Sequence, residues 1–411
     1  MSLLSAKERE ILRQLAYKKQ TMATSPENNE ILKKWFAQST GQKYAPIVGL
    51  MASNFMGEVV APRLQCESDT ARSLEWSLLA SMAGRELFGD DTPLYPEFLV
   101  DTGASVDPFG VKSSLKHADK TLGFHIEPVT DDLEKDFGLF LHGSFDISNA
   151  HAIRLRDAAN EVFGDILPAR LSMNALCAPM TNPLVMLIGL ENMYTSMYDC
   201  PEAFKAVMES ACSTYEKAFD ALEASGLLLP TNGLSCLPQE SFCLTDELPS
   251  DKVTSTKQMW GFLECQEFTA ASPEMYAEFV RPYMDRLVSR FGLLSYGCCE
   301  RVDNLLENYL LKWDNLRKLS VSPFNDQHKV GDLIRGRRIV FYSKPRAELL
   351  TNPGPLDEDA VINSFKYICE AASGCMLEMN QREAGTIYSD PTRGRRYIEL
   401  AKATADKYWK P

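Results

Sequence analysis

The chain has 411 residues, 45% of them hydrophobic and 24% charged, which is the balance of a folded globular protein. Its 43 lysines and arginines face 56 aspartates and glutamates, giving a net charge of −13, and this argues against nucleic-acid binding, which needs a basic face. There is no uncharged apolar run of about 18 residues that would predict a membrane span, and the 11 irregularly spaced cysteines indicate free thiols in a reducing cytoplasm.

The N-terminal part of the chain predicts two helices followed by strand–helix units. Residues 1–40 form the helices, the second beginning at Ser25-Pro26-Glu27, where proline suits the first helical position. Strands are predicted at 44–51 and 97–101, with an amphipathic helix over 68–88 between them. We expect residues 1–40 to pack as a helical extension on the outside of the fold.

The middle of the chain adds two strands and a long turn-rich insertion. The pattern predicts a helix within 148–162 and helices at 180–198 and 201–225, with strands at 166–171 and 227–230. Residues 231–258 contain Asn232-Gly233 and Leu248-Pro249-Ser250, which are turn signals. We interpret 231–258 as a lid-like insertion over the strand ends.

The C-terminal half predicts the most regular alternation. A helix over 272–291 starts at Ser272-Pro273, and four strand–helix units follow, at 293–298 with 302–313, 316–321 with 326–335, 338–342 with 357–372, and 375–379 with 391–409. About eight such units predict an α/β fold of the (β/α)8 TIM-barrel type over residues 41–411. The sequence has nine strand-like runs, whereas the barrel has eight strands. We interpret WGFLECQEF, at 260–268, as the extra run, lying beside the mouth of the barrel at the carboxyl ends of its strands.

The stretch GLLSYGCCE, at 292–300, has the highest concentration of potentially reactive side chains in the sequence. A short apolar strand runs into a glycine turn, then two cysteines and a glutamate, and barrel enzymes place their reactive groups at such strand ends. Cys298, Cys299 and Glu300 are therefore candidate zinc ligands. The alternative is that both cysteines are small buried residues of the core.

Other polar groups follow the neighbouring strands. Glu267 is a candidate third ligand or general base, with a solvated loop carboxylate as the alternative. Lys344 is a candidate reactive amine with a lowered pKa, or a cation that binds an anionic substrate. The alternative is that Lys344 only forms an ion pair with Glu383 or Glu300. The candidate substrate-binding residues are Gln266, Asp326, Gln381 and Glu383, of which Asp326 also suits a helix N-cap.

Three stretches together resemble the uroporphyrinogen decarboxylase superfamily, closest in character to its corrinoid methyltransferase branch of anaerobes. They are the run PMTNPLVMLIGLENMYTSMYDCPEAF at 179–204, the run SPEMYAEFVRPY at 272–283, and YGCCE at 296–300, where methyltransferase members carry a His-x-Cys metal motif. The resemblance covers roughly residues 165–410. It implies a (β/α)8 barrel that moves a methyl group between a small methylated compound and a corrinoid, on a separate carrier protein, with zinc as a further expected cofactor.

The chain departs from the family pattern at three places. Tyr296 stands where the metal-binding histidine would be. Tyr296 and Glu267 could therefore activate the substrate as proton donors in place of zinc. Cys375 precedes its strand and is rejected as the family's second cysteine ligand. The arginines and aspartate that hold a porphyrin have no match within 45–55, which argues against porphyrin decarboxylation.

Two other functions stay open at this point. The first is a metal-independent decarboxylase or C–C lyase of the same superfamily, which would act on a small carboxylate through Lys344. The second, a non-enzymatic module that binds a carrier protein, is less favoured because polar groups converge from several strands.

Overall fold

The computed structural model describes residues 4–42, 44–117, 124–233, 236–238 and 240–411. Its strands are β1 (Ile47–Leu50), β2 (Phe98–Asp101), β3 (Ser105–Asp107), β4 (Ser114–His117), β5 (Phe124–Glu127), β6 (Ser144–Asp146), β7 (Ala169–Ser172), β8 (Leu176–Cys177), β9 (Cys236–Leu237), β10 (Ser241–Phe242), β11 (Trp260–Leu263), β12 (Leu293–Tyr296), β13 (Leu316–Val321), β14 (Val340–Ser343) and β15 (Met376–Gln381). Its helices are α1 (Ala6–Ala23), α2 (Pro26–Ser39), α3 (Met56–Val59), α4 (Asp69–Ala83), α5 (Leu133–Asp136), α6 (Ala150–Phe163), α7 (Thr181–Ile188), α8 (Leu190–Asp199), α9 (Pro201–Ser225), α10 (Pro273–Phe279), α11 (Arg281–Val288), α12 (Gln327–Ile334), α13 (Glu348–Thr351), α14 (Glu358–Ala371) and α15 (Pro391–Tyr408).

A seven-stranded parallel sheet organises the fold, in the order β1-β15-β14-β13-β12-β11-β8. A separate parallel pair joins β2 to β7, and the chain passes from β7 to β8 within a few residues. The mixed α/β architecture is confirmed and is compatible with a barrel. Among the described residues β1 and β2 do not pair, so closure into a (β/α)8 barrel stays a prediction.

The two N-terminal helices are confirmed, each with a serine N-cap. The Ser5 side chain accepts from the Glu8 amide and the Ser25 side chain from the Asn28 amide, which satisfies donors left free at a helix start. α1 packs against α6 through the Arg9–Glu161 ion pair. None of the described helices is both long and apolar enough to cross a membrane.

Three predicted elements are wrong. Residues 227–230 form no strand, whereas β11 is a full member of the sheet between β8 and β12, so WGFLECQEF is not the extra run. The predicted helix at 302–313 is a series of turns, in which Leu306 bonds back to Val302 but Leu311 bonds back to Leu306. Its apolar spacing reflects burial on one side, which a helix and irregular turns can share.

The insertion at 231–258 is not a lid over the carboxyl ends of the strands. Leu237, Cys243 and Leu248 pack with Trp260 and Leu293, which begin β11 and β12. These three residues of the insertion therefore cover the amino ends of the strands. Its turn-rich composition predicted a surface loop, but its apolar residues are buried in the fold.

The hairpin of β9 and β10 places Ser241 beside an ion pair inside the sheet. The ammonium of Lys318 donates to Ser241 Oγ at 2.7 Å, to the Phe242 carbonyl at 2.8 Å and to Glu378 Oε2 at 3.1 Å. Lys318 and Glu378 are both fully buried. All three donors of the ammonium are thus satisfied, so the pair fixes β13, β15 and the hairpin relative to one another.

We expect Lys318→Met to lower the free energy of unfolding by about 3–5 kcal/mol, because it leaves the Glu378 carboxylate buried without its partner. Urea unfolding followed by circular dichroism measures the change. The double variant Lys318→Met/Glu378→Leu should recover most of the loss. A single variant as stable as the unaltered protein would contradict this account of the interior.

Candidate functional site at the carboxyl ends of the strands

The loop after β12 turns sharply at Gly297. This glycine has a φ of 100°, a conformation that other residues rarely adopt, and an added Cβ would lie 3.1 Å from Ser320 Cβ. Its amide donates to the Leu263 carbonyl at the end of β11, at 2.9 Å. The predicted glycine turn is therefore confirmed, and it directs Cys298 away from the strand.

Cys298 lies at the centre of a group of side chains from three strand ends. Its carbonyl accepts from Ser320 Oγ and from Lys344 Nζ, each at 2.7 Å. Its sulfur lies 3.2 Å from Arg382 Nη1 and 3.6 Å from Cys299 Sγ. The thiol hydrogen bond from Cys299, with the positive charges of Lys344 and Arg382, lowers the pKa of Cys298 to about 5 despite burial, so Cys298 is a thiolate at neutral pH.

Cys299 plays the opposite part in this pair. Its sulfur is 2.6 Å from Glu383 Oε1, and its hydrogen bond to Cys298, together with burial, raises the pKa of Cys299. Cys299 therefore keeps its single proton, for which Glu383 Oε1 and the Cys298 thiolate are the two acceptors. Both sulfurs are partly exposed, so they are not the small core residues of the alternative interpretation.

Glu300 supports the loop through its backbone contacts. Its Oε1 accepts from the Cys265 amide at 2.9 Å and its Oε2 from the Cys298 amide at 2.6 Å, and burial raises the pKa of this carboxyl. Across the described residues, no group of three or more histidine, cysteine, aspartate or glutamate side chains is arranged to hold a metal ion. The Glu300 carboxylate accepts from two backbone amides, so zinc binding by Cys298, Cys299 and Glu300 stays a prediction.

Lys344 follows β14 and is buried at the site. Its exposed fraction is 3%, and burial lowers the pKa of its amine to about 8. It donates to the Cys298 carbonyl at 2.7 Å. The charges of Cys298 and Glu300 act on the pKa of Lys344 in the opposite direction to burial, so both the cation at the mouth and the charge partner for Glu300 stay open.

A second group of carboxyls lies on the loop after β11. Glu267 accepts from Thr181 Oγ1 at 2.7 Å and from Asn182 Nδ2 at 2.8 Å, so it is tied to the start of α7. Glu264 accepts from the Gln266 amide at 2.9 Å, and burial, with the charges of Glu267 and Glu300, raises the pKa of Glu264 well above its usual range. Glu264 is a buried acid at the site that the sequence analysis did not predict. Its position directly after a strand was a signal that could have identified it.

Three predicted site residues have structural roles instead. Tyr296 is fully buried, with its ring 5.2 Å from that of Trp313, so it belongs to the core and not to the mouth. Asp326 is the N-cap of α12. Gln381 is buried and accepts from the Tyr397 hydroxyl.

Arg382 is the main residue whose role the sequence did not indicate. It follows β15 immediately, and its Nε lies 3.3 Å from Met51 Sδ while its Nη1 contacts Cys298. The position of Arg382 after a strand predicts that it lies at the carboxyl ends of the strands. Its contact with the Cys298 thiolate depends on the order of the strands in the sheet. Cys375, by contrast, precedes β15 and contacts the Gly331 carbonyl, so it lies at the other end of the parallel sheet, as predicted.

We expect iodoacetamide to modify Cys298 with a pH profile that rises near pH 5, because its pKa is about 5 and the thiolate is the nucleophile. Peptide mapping by mass spectrometry identifies the modified cysteine. In Cys299→Ala the inflection should move to higher pH, since the thiol donor is lost. Cys299→Ser keeps a donor and should move it less. An inflection at about 8.5, the value of an ordinary cysteine, would contradict the assignment.

Comparison with known proteins gives a likeness in structure but not in sequence. No protein-family model matches the chain, and no curated protein sequence matches it. A solved structure, described as a methyltransferase from Methanosarcina mazei, aligns with a TM-score of 0.50 at 13% identity, over 92% of this chain and 98% of that chain. At that identity, the likeness shows that the two chains share a fold.

Proposed function

We propose that the chain is a methyltransferase that moves a methyl group between a small methylated compound and a corrinoid on a partner protein. The observation that carries the proposal is the Cys298 thiolate, held 3.2 Å from Arg382 beside Lys344 at the carboxyl ends of the strands. The shared fold with a methyltransferase and the sequence resemblance support it. We further propose that the strands close into a (β/α)8 barrel of the uroporphyrinogen decarboxylase superfamily.

The residues at the mouth can stabilise charge that develops during methyl transfer. A methyl group leaves its heteroatom more readily when a cation or a proton donor stabilises the charge left behind. Lys344 and Arg382 supply positive charge there, and the raised pKa of Glu264 makes it an acid that holds a proton to donate. A corrinoid bound by the partner would supply the cobalt that accepts or gives the methyl group.

Zinc binding is a separate part of the proposal. Cys298 and Cys299 supply two sulfurs 3.6 Å apart, whereas zinc sites use three or four protein ligands. Glu300 would have to release backbone amides to join them. The roles assigned above to Lys344, Arg382 and Glu264 do not require the metal.

The test is methyl transfer from methanol, methylamines, methyl thioethers and methoxyaromatic compounds to reduced cobalamin, followed by its absorption spectrum. We expect at least one donor to be active and Cys298→Ser to lower the rate about 100-fold or more, because an ionised group at the reacting centre is lost. Cys375→Ser is the matched control and should leave the rate unchanged.

Metal analysis of the same preparations decides the zinc question. Zinc present in the unaltered protein and absent from Cys298→Ser would establish the metal. A protein that cannot be loaded with zinc and leaves the corrinoid spectrum unchanged with every donor would refute the proposed function.

A decarboxylase or C–C lyase is the second candidate, favoured by the buried amine of Lys344 near the guanidinium of Arg382. Two cations at one site suit a small carboxylate substrate, and a pKa of about 8 leaves part of the amine neutral near that pH, as a nucleophile requires.

The two functions predict different results for Cys298→Ser, whereas Lys344→Met should lower activity under both. If the chain is a lyase, Lys344→Met should abolish carbon dioxide release or C–C cleavage from a panel of small carboxylates, while Cys298→Ser keeps most of it. Loss in Cys298→Ser with activity kept in Lys344→Met would exclude the lyase mechanism.

A further inference from the structure

A cavity of about 660 Å³ opens among the loops that follow β1, β2 and β8. Its volume lies in the range of small-molecule sites. The tip of the β9–β10 hairpin forms part of its wall through Cys236, Leu237, Pro238 and Glu240. The hairpin, which belongs to the 231–258 insertion, therefore contributes to this cavity.

The charged side chains among the described residues that line the cavity are both acidic. They are Asp101, at the end of β2, and Glu240, at the hairpin tip. Asp101 Oδ1 accepts from the Asn174 amide at 3.0 Å, and Glu240 Oε1 accepts from the Ser53 amide at 3.3 Å. Each carboxylate thus accepts from a backbone amide, but the described lining contributes no lysine or arginine to balance the two charges.

Glu240 is held in an unusual position. Its φ is 55°, which costs energy for a residue other than glycine, and its backbone carbonyl accepts from Asn380 Nδ2 at 3.3 Å. Burial, with the nearby charge of Asp90, raises the pKa of Glu240 to about 7. A carboxyl in this environment would gain stability in its charged form from a cation in the cavity.

The rest of the lining is largely apolar and includes aromatic rings. Phe219 and Tyr215 come from α9, and Tyr215 directs its hydroxyl to the Pro179 carbonyl at 2.7 Å. Met173, Leu176 and Leu222 add aliphatic surface. Apolar and aromatic walls with two carboxylates suit an organic cation, because aromatic faces and carboxylates both attract positive charge.

A smaller cavity of about 310 Å³ shares Asp101 and Glu240 with this one. Lys19 lines the smaller cavity, with its amine 5.9 Å from the centre of the Phe98 ring. Lys19 does not line the larger cavity, and its burial lowers its pKa to about 8. The Lys19 amine therefore faces the smaller cavity, whereas the charged groups that line the larger cavity are the carboxylates of Asp101 and Glu240.

We propose that the larger cavity binds a small organic cation, an ammonium compound with an apolar body, through Glu240 and Asp101. Met51 also lines this cavity, and its sulfur lies 3.3 Å from Arg382 Nε, next to Cys298. A methylated ammonium compound fits this cavity, and it leaves as a neutral amine when it gives up a methyl group. Its use as a methyl donor rests on the proposed function, whereas the binding of the cation does not.

The test compares choline with 3,3-dimethylbutan-1-ol, which has the same shape without the charge, by isothermal titration calorimetry on the full chain. We expect choline to bind at least about tenfold more tightly, since only the cation gains from the two carboxylates. Equal affinity for the two compounds would show an apolar cavity only and would overturn the proposal. Failure of choline to bind would overturn it as well.

Variants locate the binding and separate it from the reaction. Glu240→Gln and Asp101→Asn should each weaken choline binding about tenfold and leave the neutral alcohol unchanged, and retained binding of the alcohol shows that the cavity is intact. Unchanged choline binding in both variants would overturn the proposal. Cys375→Ser, at the other end of the sheet, is the control that should bind choline normally. Choline binding with no methyl transfer from choline or from any donor of the panel above would refute the proposed function alone.

Discussion

The carbonyl oxygen of Cys298 accepts hydrogen bonds from Ser320 and Lys344, and the arrangement of the mouth depends on it. Ser320 belongs to β13 and Lys344 follows β14, so one atom joins the loop after β12 to the next two strands of the sheet. A carbonyl can accept two bonds at once, which fixes the orientation of the loop. The sulfur then meets Arg382 from the end of β15. Parallel strands in adjacent order make this convergence possible.

The acid–base properties of the site follow from which partner each group meets. Cys298 has two cations and a thiol donor around it, so its pKa falls, while Cys299 faces a carboxylate and a thiolate, so its pKa rises. Two residues of the same type, adjacent in sequence, thus take opposite protonation states. Opposite environments for like groups are a common feature of reactive sites, and this contrast distinguishes the pair from ordinary buried cysteines.

Much of the fold and part of the site could be predicted from the sequence. The alternation of strands and helices after Gly292 and the glycine turn before Cys298 are local patterns, and the structure confirms most of them. The position of Lys344 at the mouth followed from the same alternation. The role of Arg382 could not be predicted, because it depends on strand order and on the distance to a residue 84 positions away. Tyr296 was misplaced, because strand residues alternate between the two faces of a sheet and the sequence did not show which face was lined by the mouth.

The hairpin that reaches Lys318 has a consequence for how the protein is made. Ser241 bonds to Glu378 across 137 positions of the chain, and Lys318 bonds to Glu378 across 60. During synthesis the hairpin and β13 emerge long before the strand that carries Glu378. The Lys318 ammonium therefore has no Glu378 carboxylate to pair with until β15 leaves the ribosome. The interior of the sheet is complete only when this last strand has joined it. Contacts of this range slow folding, and in this interval the unfinished sheet depends on the cell's chaperones more than the finished one.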